Sequence, residues 1–348
     1  MKIDRMANMK IIVGALALQA ICSAPVYAQD GGFFAGKTIS LAVPSGPGGG
    51  YDTYARAFAR HYPKHLPGKP QIVVQNTPGG GGLVAANNLY NLAPRDGTAI
   101  AVLASSSFLV AALGEKLAKF DNLKFTPVGN LSEESDTCSV WHRSGIEATQ
   151  DLFAKEVVVG SEGIGSNSQT FPLAMNDALN MKFKIIPGYQ GTQLRAAAME
   201  RGELHGACGI FVSTLNALFE RQLKEGTWRV VLQMGLSRNP RFLDVPNALE
   251  LAKTPDAKAT LTTMFAQLAL GRPLYAPPDV PAAQAATLQK AFAATMEDAD
   301  YAAEATKLRL DRRWFGPERM NDIMREMNNA SEPVKTSLRK ILNIDASK

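Results

Sequence analysis

Two glycine-rich loops restrict the possible folds of this chain more than any other feature of its sequence. The first loop, residues 44–52, reads PSGPGGGYD, and the second, residues 76–82, reads NTPGGGG. A short run of apolar and β-branched residues precedes each loop, and apolar residues at helical spacing follow it. This order predicts two strand–loop–helix units whose loops lie at the carboxyl ends of parallel strands, where open α/β sheets bind their ligands.

The alternation of short apolar runs with amphipathic helices continues along the chain and predicts an α/β fold. We predict lobe 1 from residues 29–135 and 238–348 and lobe 2 from residues 136–237, because about 320 residues exceed one ordinary core. Each lobe is expected to hold a mostly parallel sheet, and two crossover strands would join the lobes into a hinged clamshell. The predicted strands span residues 38–43, 71–75, 98–103, 137–141, 156–160, 183–187 and 204–208, and from residues 228–234 onward the chain is expected to return to lobe 1.

The amino terminus has the order of a secretory signal. Three basic residues among the first ten precede an apolar stretch at residues 11–22, and a small residue, Ala28, ends the expected cleavage site. The apolar stretch is shorter than the roughly 20 residues that a membrane-spanning helix requires. We therefore predict a signal peptide at residues 1–28, cleaved after Ala28, and an exported chain. The alternative is an amphipathic helix kept in the mature protein.

Charge and cysteine content limit the classes of partner. The net charge is +5, of which residues 1–28 contribute +2, and the remaining +3 is spread evenly along the chain. This charge is too small for a nucleic-acid surface, so we expect no nucleic-acid partner. Cys138 and Cys208 follow the predicted signal peptide, and they either pair or remain two buried thiols.

The composition of the two loops favours a carboxylate ligand. Consecutive glycines let the backbone approach a ligand closely, and a helix amino terminus behind each loop favours an anion. Neither loop contains Lys, Arg or His, and neither has the pattern of a P-loop or of a dinucleotide-binding fingerprint. Phosphate sites usually recruit basic side chains, whereas neutral amides and hydroxyls suit a carboxylate. The alternative is that both loops are only tight turns.

Polar residues in lobe 2 are expected to face these loops. Ser166 and Asn167 come just before a predicted helix, and Tyr189 and Thr192 lie at the start of the next one. Helix capping and core packing are the alternative explanations. Two acidic residues, Glu162 and Asp136, are candidates to face an amine, but the sequence does not fix their direction.

No catalytic or metal-binding constellation stands out in the sequence. His61 and His65 have helical spacing, but Pro63 interrupts the helix that would align them. Asp52 matches the dipole of a first helical turn and needs no catalytic role. We therefore predict no catalytic residue, no metal and no cofactor.

Several motifs, taken in order, resemble the tripartite tricarboxylate transporter receptors, the Bug- or TctC-type periplasmic binding proteins. The first loop with Ala55 and Arg56 is similar to the first motif of this family, and the second loop is similar to the second. Further similar segments are Pro94-Arg95-Asp96-Gly97-Thr98, Gly188-Tyr189-Gln190-Gly191-Thr192, Arg241-Phe242-Leu243-Asp244-Val245-Pro246 and Ala276-Pro277 with Pro281.

The resemblance implies a monomeric periplasmic binding protein with the Venus-flytrap fold. It implies that the glycine loops hold a ligand carboxylate through backbone amides and ordered water, and that the closed protein docks on a large and a small integral membrane subunit of a transporter. The candidate ligand-binding residues are Ser45, Gly48, Gly50, Tyr51, Gly80, Gly81 and Ser106 in lobe 1, and Ser166, Asn167, Tyr189 and Thr192 in lobe 2.

Two other functions stay open at the level of sequence: a sensory receptor with the same clamshell, and a secreted α/β enzyme. The ligand also stays open, as a di- or tricarboxylate, an acidic amino acid or an aromatic acid.

Overall fold

A computed structural model describes residues 32–345. The predicted signal peptide, residues 1–28 with its cleavage site after Ala28, lies outside the described residues. The strands are β1 (Thr38–Val43), β2 (Gln71–Asn76), β3 (Ala99–Val102), β4 (Thr126–Asn130), β5 (Asp136–Trp141), β6 (Val157–Ser161), β7 (Phe183–Pro187), β8 (Gly206–Phe211), β9 (Trp228–Met234) and β10 (Pro273–Ala276).

Helices alternate with these strands. They are α1 (Gly50–His61), α2 (Leu83–Asn91), α3 (Ser105–Ala112), α4 (Asp151–Ala154), α5 (Asn167–Leu179), α6 (Thr192–Glu200), α7 (Val212–Leu218), α8 (Glu220–Lys224), α9 (Ala248–Leu251), α10 (Pro255–Ala266), α11 (Ala282–Glu297), α12 (Ala299–Lys307), α13 (Pro317–Asn328) and α14 (Glu332–Leu342). Among residues 32–345, none of them combines the length and the apolarity that crossing a bilayer requires.

Within the described range, the strands form two five-stranded sheets with the same plan. The first has the order β2-β1-β3-β10-β4, and the second has the order β7-β6-β8-β5-β9. In each sheet the fourth strand, β10 or β5, is antiparallel to both neighbours, and the other pairs are parallel. Four of the five strands in each sheet therefore point the same way. The predicted two-lobed α/β fold is confirmed, and we call the surroundings of the first sheet lobe 1 and those of the second lobe 2.

The burial of β1 shows why the local sequence pattern predicted this strand. Ile39, Leu41 and Val43 are fully buried, and the residues between them are less so. This alternation is typical of a strand with one face on the core. Strands β4 and β10 were not predicted, because both are short and contain proline, which weakens the strand pattern.

Some packing joins the two lobes. Helices α10 and α14, which lie in a segment predicted for lobe 1, pack against α5 of lobe 2. The rings of Phe265 on α10 and Phe171 on α5 are 5.2 Å apart and nearly perpendicular. The division of the chain at 135/136 and 237/238 therefore stays a prediction.

A disulfide joins Cys138 to Cys208 inside lobe 2. The two residues face each other across the antiparallel pair β5 and β8. The sequence left open whether these cysteines pair, because it could not show that a strand 70 positions later returns beside the first.

Candidate functional site

The two lobes meet around a narrow cavity of about 40 Å3, which the glycine-rich loops border from lobe 1. Among the described residues, four helices of eight residues or more begin at this cavity: α1 and α3 from lobe 1, and α5 and α6 from lobe 2. The first amides of a helix have no acceptor inside it, and the helix dipole adds a partial positive charge there. The cavity is therefore suited to an anion.

The first glycine loop is held in place by Asp52. Its carboxylate accepts hydrogen bonds from the Gly48 amide (2.9 Å), from Arg56 (2.9 Å) and from the Asn76 side chain (2.9 Å). Burial would raise the pKa of Asp52, but these hydrogen bonds outweigh burial and lower it. Asp52 is thus a charged support of the loop.

The second glycine loop contacts lobe 2 directly. The Gly81 amide donates to the Glu162 carbonyl (3.0 Å), and the Gly165 amide donates to the Gly80 carbonyl (3.1 Å). Gly81 has a φ of +67°, and a Cβ there would overlap the Ser166 amide. Ser106 adds a third link, since its hydroxyl donates to the Gly165 carbonyl (2.7 Å). The lobes are therefore closed on each other at this edge of the cavity.

Arg272, just before β10, reaches the cavity from lobe 1. Its guanidinium carbon lies 4.5 Å from the ring centre of Tyr51 and 4.6 Å from those of Tyr54 and Phe211. The side chain is 1% exposed and donates to Thr214 of lobe 2 (2.8 Å) and to Glu134 (3.3 Å). A buried arginine enclosed by aromatic rings keeps its charge at a fixed place, and here it also connects the two lobes.

Arg195, in the first turn of α6, is the corresponding buried arginine of lobe 2. It donates to the Cys208 carbonyl (2.6 Å) and to the carboxylate of Glu162 (2.9 Å). Burial raises the pKa of Glu162, and the neighbouring Arg195 opposes that rise. The two residues form an ion pair on the lobe 2 wall of the cavity.

Two further buried carboxylates lie close to the cavity. Burial raises the pKa of Asp136 to about 7, against hydrogen bonds from the Asn167 side chain and the Thr137 amide. Burial also raises the pKa of Glu134 to about 7, although Arg272 opposes it. Glu134 lies in the segment that joins β4 to β5, where the chain crosses between the lobes.

Most of the predicted site residues come together at this cavity. Eight of them line it: Ser45, Gly50, Tyr51, Gly81, Ser106, Ser166, Asn167 and Thr192. The other three, Gly48, Gly80 and Tyr189, do not line it. The Gly48 amide is bonded to Asp52, the Gly80 carbonyl accepts from Gly165, and Tyr189 packs beside the hydrophobic cluster of lobe 2. Their role in binding a ligand stays a prediction.

Sequence reasoning missed both buried arginines, although each leaves a signal. Arg195 lies in the first turn of a helix, where a cation opposes the helix dipole and therefore needs a specific partner. Arg272 is a single charge within the apolar stretch 268–276. The loops themselves contain no basic residue, but basic residues reach the cavity from elsewhere in the chain.

Residues 32–345 contain no group of three His, Cys, Asp or Glu residues that could hold a metal ion. His61 and His65 instead pair with Glu304 (2.6 Å) and Asp298 (2.8 Å) on the outside of lobe 1.

Comparison with known proteins identifies relatives across most of the chain. A family model described as the tripartite tricarboxylate transporter family receptor matches residues 55–336. A curated relative from Agrobacterium vitis, a UPF0065 protein in the TAR-I ttuE-ttuC' intergenic region, is 29% identical over 192 residues. That alignment covers 53% of this chain and 54% of the relative, so the chain spans about half the length of this relative.

Solved structures share the fold. MatC from Rhodopseudomonas palustris with bound malate superimposes with a TM-score of 0.68 at 22% identity, covering 89% of this chain and 100% of MatC. Rpa4515 from R. palustris with adipate gives a TM-score of 0.70 at 18% identity, covering 89% and 98%. At these identities the likeness concerns the fold.

Proposed function

The chain belongs to the tripartite tricarboxylate transporter family receptors, and from that premise we propose that it captures a small carboxylate between its lobes. The observation that carries this proposal is the convergence of four helix amino termini and the buried Arg272 on one narrow cavity between the two sheets. Helix dipoles and a desolvated guanidinium favour an anion in a space too small for a large ligand. The malate and adipate bound by MatC and Rpa4515 are small carboxylates and support the same class here.

Capture follows from closure of the clamshell. In an open form, a carboxylate reaches the helix amino termini of lobe 1, and closure then brings those of lobe 2 against the same ligand. The direct links Gly81–Glu162, Gly165–Gly80 and Ser106–Gly165 stabilise the closed form. A ligand that binds the closed form better shifts the population toward it, and no covalent step is required.

We further propose the compartment in which the protein acts and the membrane partners to which it delivers its ligand. The signal peptide is cleaved after Ala28 and the mature chain acts in the periplasm as a monomer. There it delivers its ligand to a large and a small integral membrane subunit, without catalysis, cofactor or nucleic acid. Family membership supports the transport role over a sensory one or an enzymatic one.

The test is calorimetric titration of the chain from residue 29 with succinate, malate, adipate, citrate, aspartate, benzoate and inorganic phosphate. We expect saturable one-to-one binding of at least one carboxylate, no binding of phosphate, and recovery of the ligand unchanged. Binding of phosphate alone, or conversion of a bound acid to a product, would overturn the proposal. Loss of uptake of the bound acid in a deletion strain, restored by the intact gene, would separate transport from sensing.

A further inference from the structure

The lobe 2 wall of the cavity presents hydrogen-bond acceptors as well as donors. Asn167 is 8% exposed, and its side-chain oxygen has no hydrogen-bond partner among the described residues. Asn167 lines the cavity, at the first position of α5. A buried acceptor without a partner is costly in a folded protein, so its presence at a cavity points to a donor supplied by a ligand.

Asp136 determines which end of the Asn167 amide is available. Its carboxylate accepts from the Asn167 side-chain nitrogen (2.9 Å) and from the Thr137 amide (2.7 Å). The Asn167 nitrogen therefore faces Asp136, to which it donates. The oxygen is thereby left on the other side.

Glu162 supplies a second acceptor on the same wall. One of its oxygens is paired with Arg195, its side chain is 18% exposed, and the residue lines the cavity. Arg195 is only 1% exposed, and it also donates to the Cys208 carbonyl and lies within 3.3 Å of the Thr192 hydroxyl. Of the two charged side chains of this pair, Glu162 is therefore the more exposed.

We propose that Glu162 and Asn167 form a subsite for a protonated amine, and that the ligand of this protein is an amino acid. Its carboxylate lies toward Arg272 and the amino termini of α1 and α3, and its ammonium lies between the Asn167 oxygen and Glu162, whose negative charge offsets the dipoles of α5 and α6 there. An ammonium group has three donors and no acceptor, which matches two oxygen acceptors. A second carboxylate in the same place would face those oxygens and be repelled. This inference rests on the proposed function, since it assumes that a carboxylate enters the cavity.

Matched pairs of ligands test the subsite: succinate with aspartate, glutarate with glutamate, and propionate with alanine. The members of a pair share a carbon skeleton and differ by one amine. Calorimetry at pH 7 should give at least tenfold tighter binding of the amino member in the pair that fits the cavity. The proposed function fails if none of these ligands binds and none of the acids tested for the proposed function binds either. If the acid without the amine binds equally well or better, the amine subsite is wrong while the proposed function stands.

Variants then assign the preference to residues. Glu162→Gln keeps the size of the side chain and an acceptor for Arg195 but removes the charge, and it should reduce the preference for the amine at least tenfold. Glu156→Gln is the matched control, because Glu156 lies in lobe 2 on an exposed pair with Lys184 (3.6 Å). It should keep the preference of the parent protein. An unchanged preference in Glu162→Gln would overturn the assignment.

A second variant is needed in case Glu162→Gln does not fold because the buried charge of Arg195 has lost its partner. Asn167→Ala removes the other acceptor without changing any charge, and it should weaken binding of the amino acid more than binding of its partner without the amine. Equal weakening of both members would overturn the assignment of Asn167 to the amine subsite. Circular dichroism of each variant checks the fold.

Discussion

The two lobes share one strand order, yet they form different walls of the cavity. Lobe 1 borders it with the buried Arg272 and otherwise largely with backbone and small side chains: Ser45, Gly50, Gly81 and Ser106. Lobe 2 borders it with an ion pair, Arg195 with Glu162, and with a buried amide. A wall of backbone amides recognises a feature that many ligands share, whereas a wall of charged side chains distinguishes one ligand from another. The difference suggests that lobe 1 supplies capture and lobe 2 supplies selection.

Arg272 is the residue on which the two walls depend most, so its loss should give the largest effect. Arg272→Met leaves Glu134 buried without its cation, and removing one partner of a buried pair costs about 3–5 kcal/mol. We expect unfolding by guanidinium chloride to reach its midpoint at a clearly lower denaturant concentration. The double variant Arg272→Met with Glu134→Gln should recover part of the loss. A single variant as stable as the parent protein would show that this pair does not hold the lobes.

The disulfide lies in lobe 2, so breaking it should destabilise lobe 2 more than lobe 1. Replacing Cys138 and Cys208 by Ala should lower the free energy of unfolding by about 2–4 kcal/mol. Hydrogen exchange should show the loss in β5 and β8 more than in β1 and β3. A reductant should destabilise the parent protein and leave the double variant unchanged, and equal loss of protection in both sheets would contradict the assignment to lobe 2.

The backbone wall of lobe 1 can be tested with one glycine. Gly81→Val should weaken ligand binding by about 100-fold, roughly 2.7 kcal/mol, because any Cβ there overlaps the Ser166 amide and holds the lobes apart. Gly145→Val is the matched control: Gly145 also has a positive φ, +75°, but nothing lies within 4 Å of its Cβ position. Both variants carry the same backbone strain, so equal affinities in calorimetry would exclude a steric role for Gly81.

The last expected effect concerns pH and the two buried carboxylates close to the cavity. The pKa of Asp136 and that of Glu134 are each raised to about 7 in the folded protein, above the ordinary values of 3.8 and 4.5. Between roughly pH 4 and 7 the folded state then holds more protons than the unfolded state, so stability falls as the pH rises through this window. The melting temperature should be lower at pH 8 than at pH 5.

Asp136→Asn isolates the contribution of Asp136. It removes one of the two titrating groups, so the difference in melting temperature between pH 5 and pH 8 should become smaller. Carboxylates whose pKa is lowered, such as Asp151 at about 2, are already ionised at pH 5 and do not contribute to this window. An undiminished difference in the variant would mean that Asp136 is ionised across the whole range.

The local sequence pattern was sufficient to locate strands and loops that border the cavity. Residues 38–43 and 183–187 were predicted as strands with the observed bounds, and both glycine loops lie where a strand gives way to a helix. These features depend on side-chain alternation and on the conformational freedom of glycine, which are properties of neighbouring residues. The fold class and most of the loop residues at the cavity followed from them.

The chemistry of the cavity was decided by contacts between distant parts of the chain. Arg272 reaches the cavity because β10 returns beside β3, which is formed much earlier in the chain, and Cys138 meets Cys208 because β8 returns beside β5. Gly48 and Gly80 belong to the predicted loops, yet closure against lobe 2 and the Asp52 support turn their polar groups elsewhere. Periodicity fixes which face of a strand is buried, but the register and order of the strands determine which side chains face each other across the cleft.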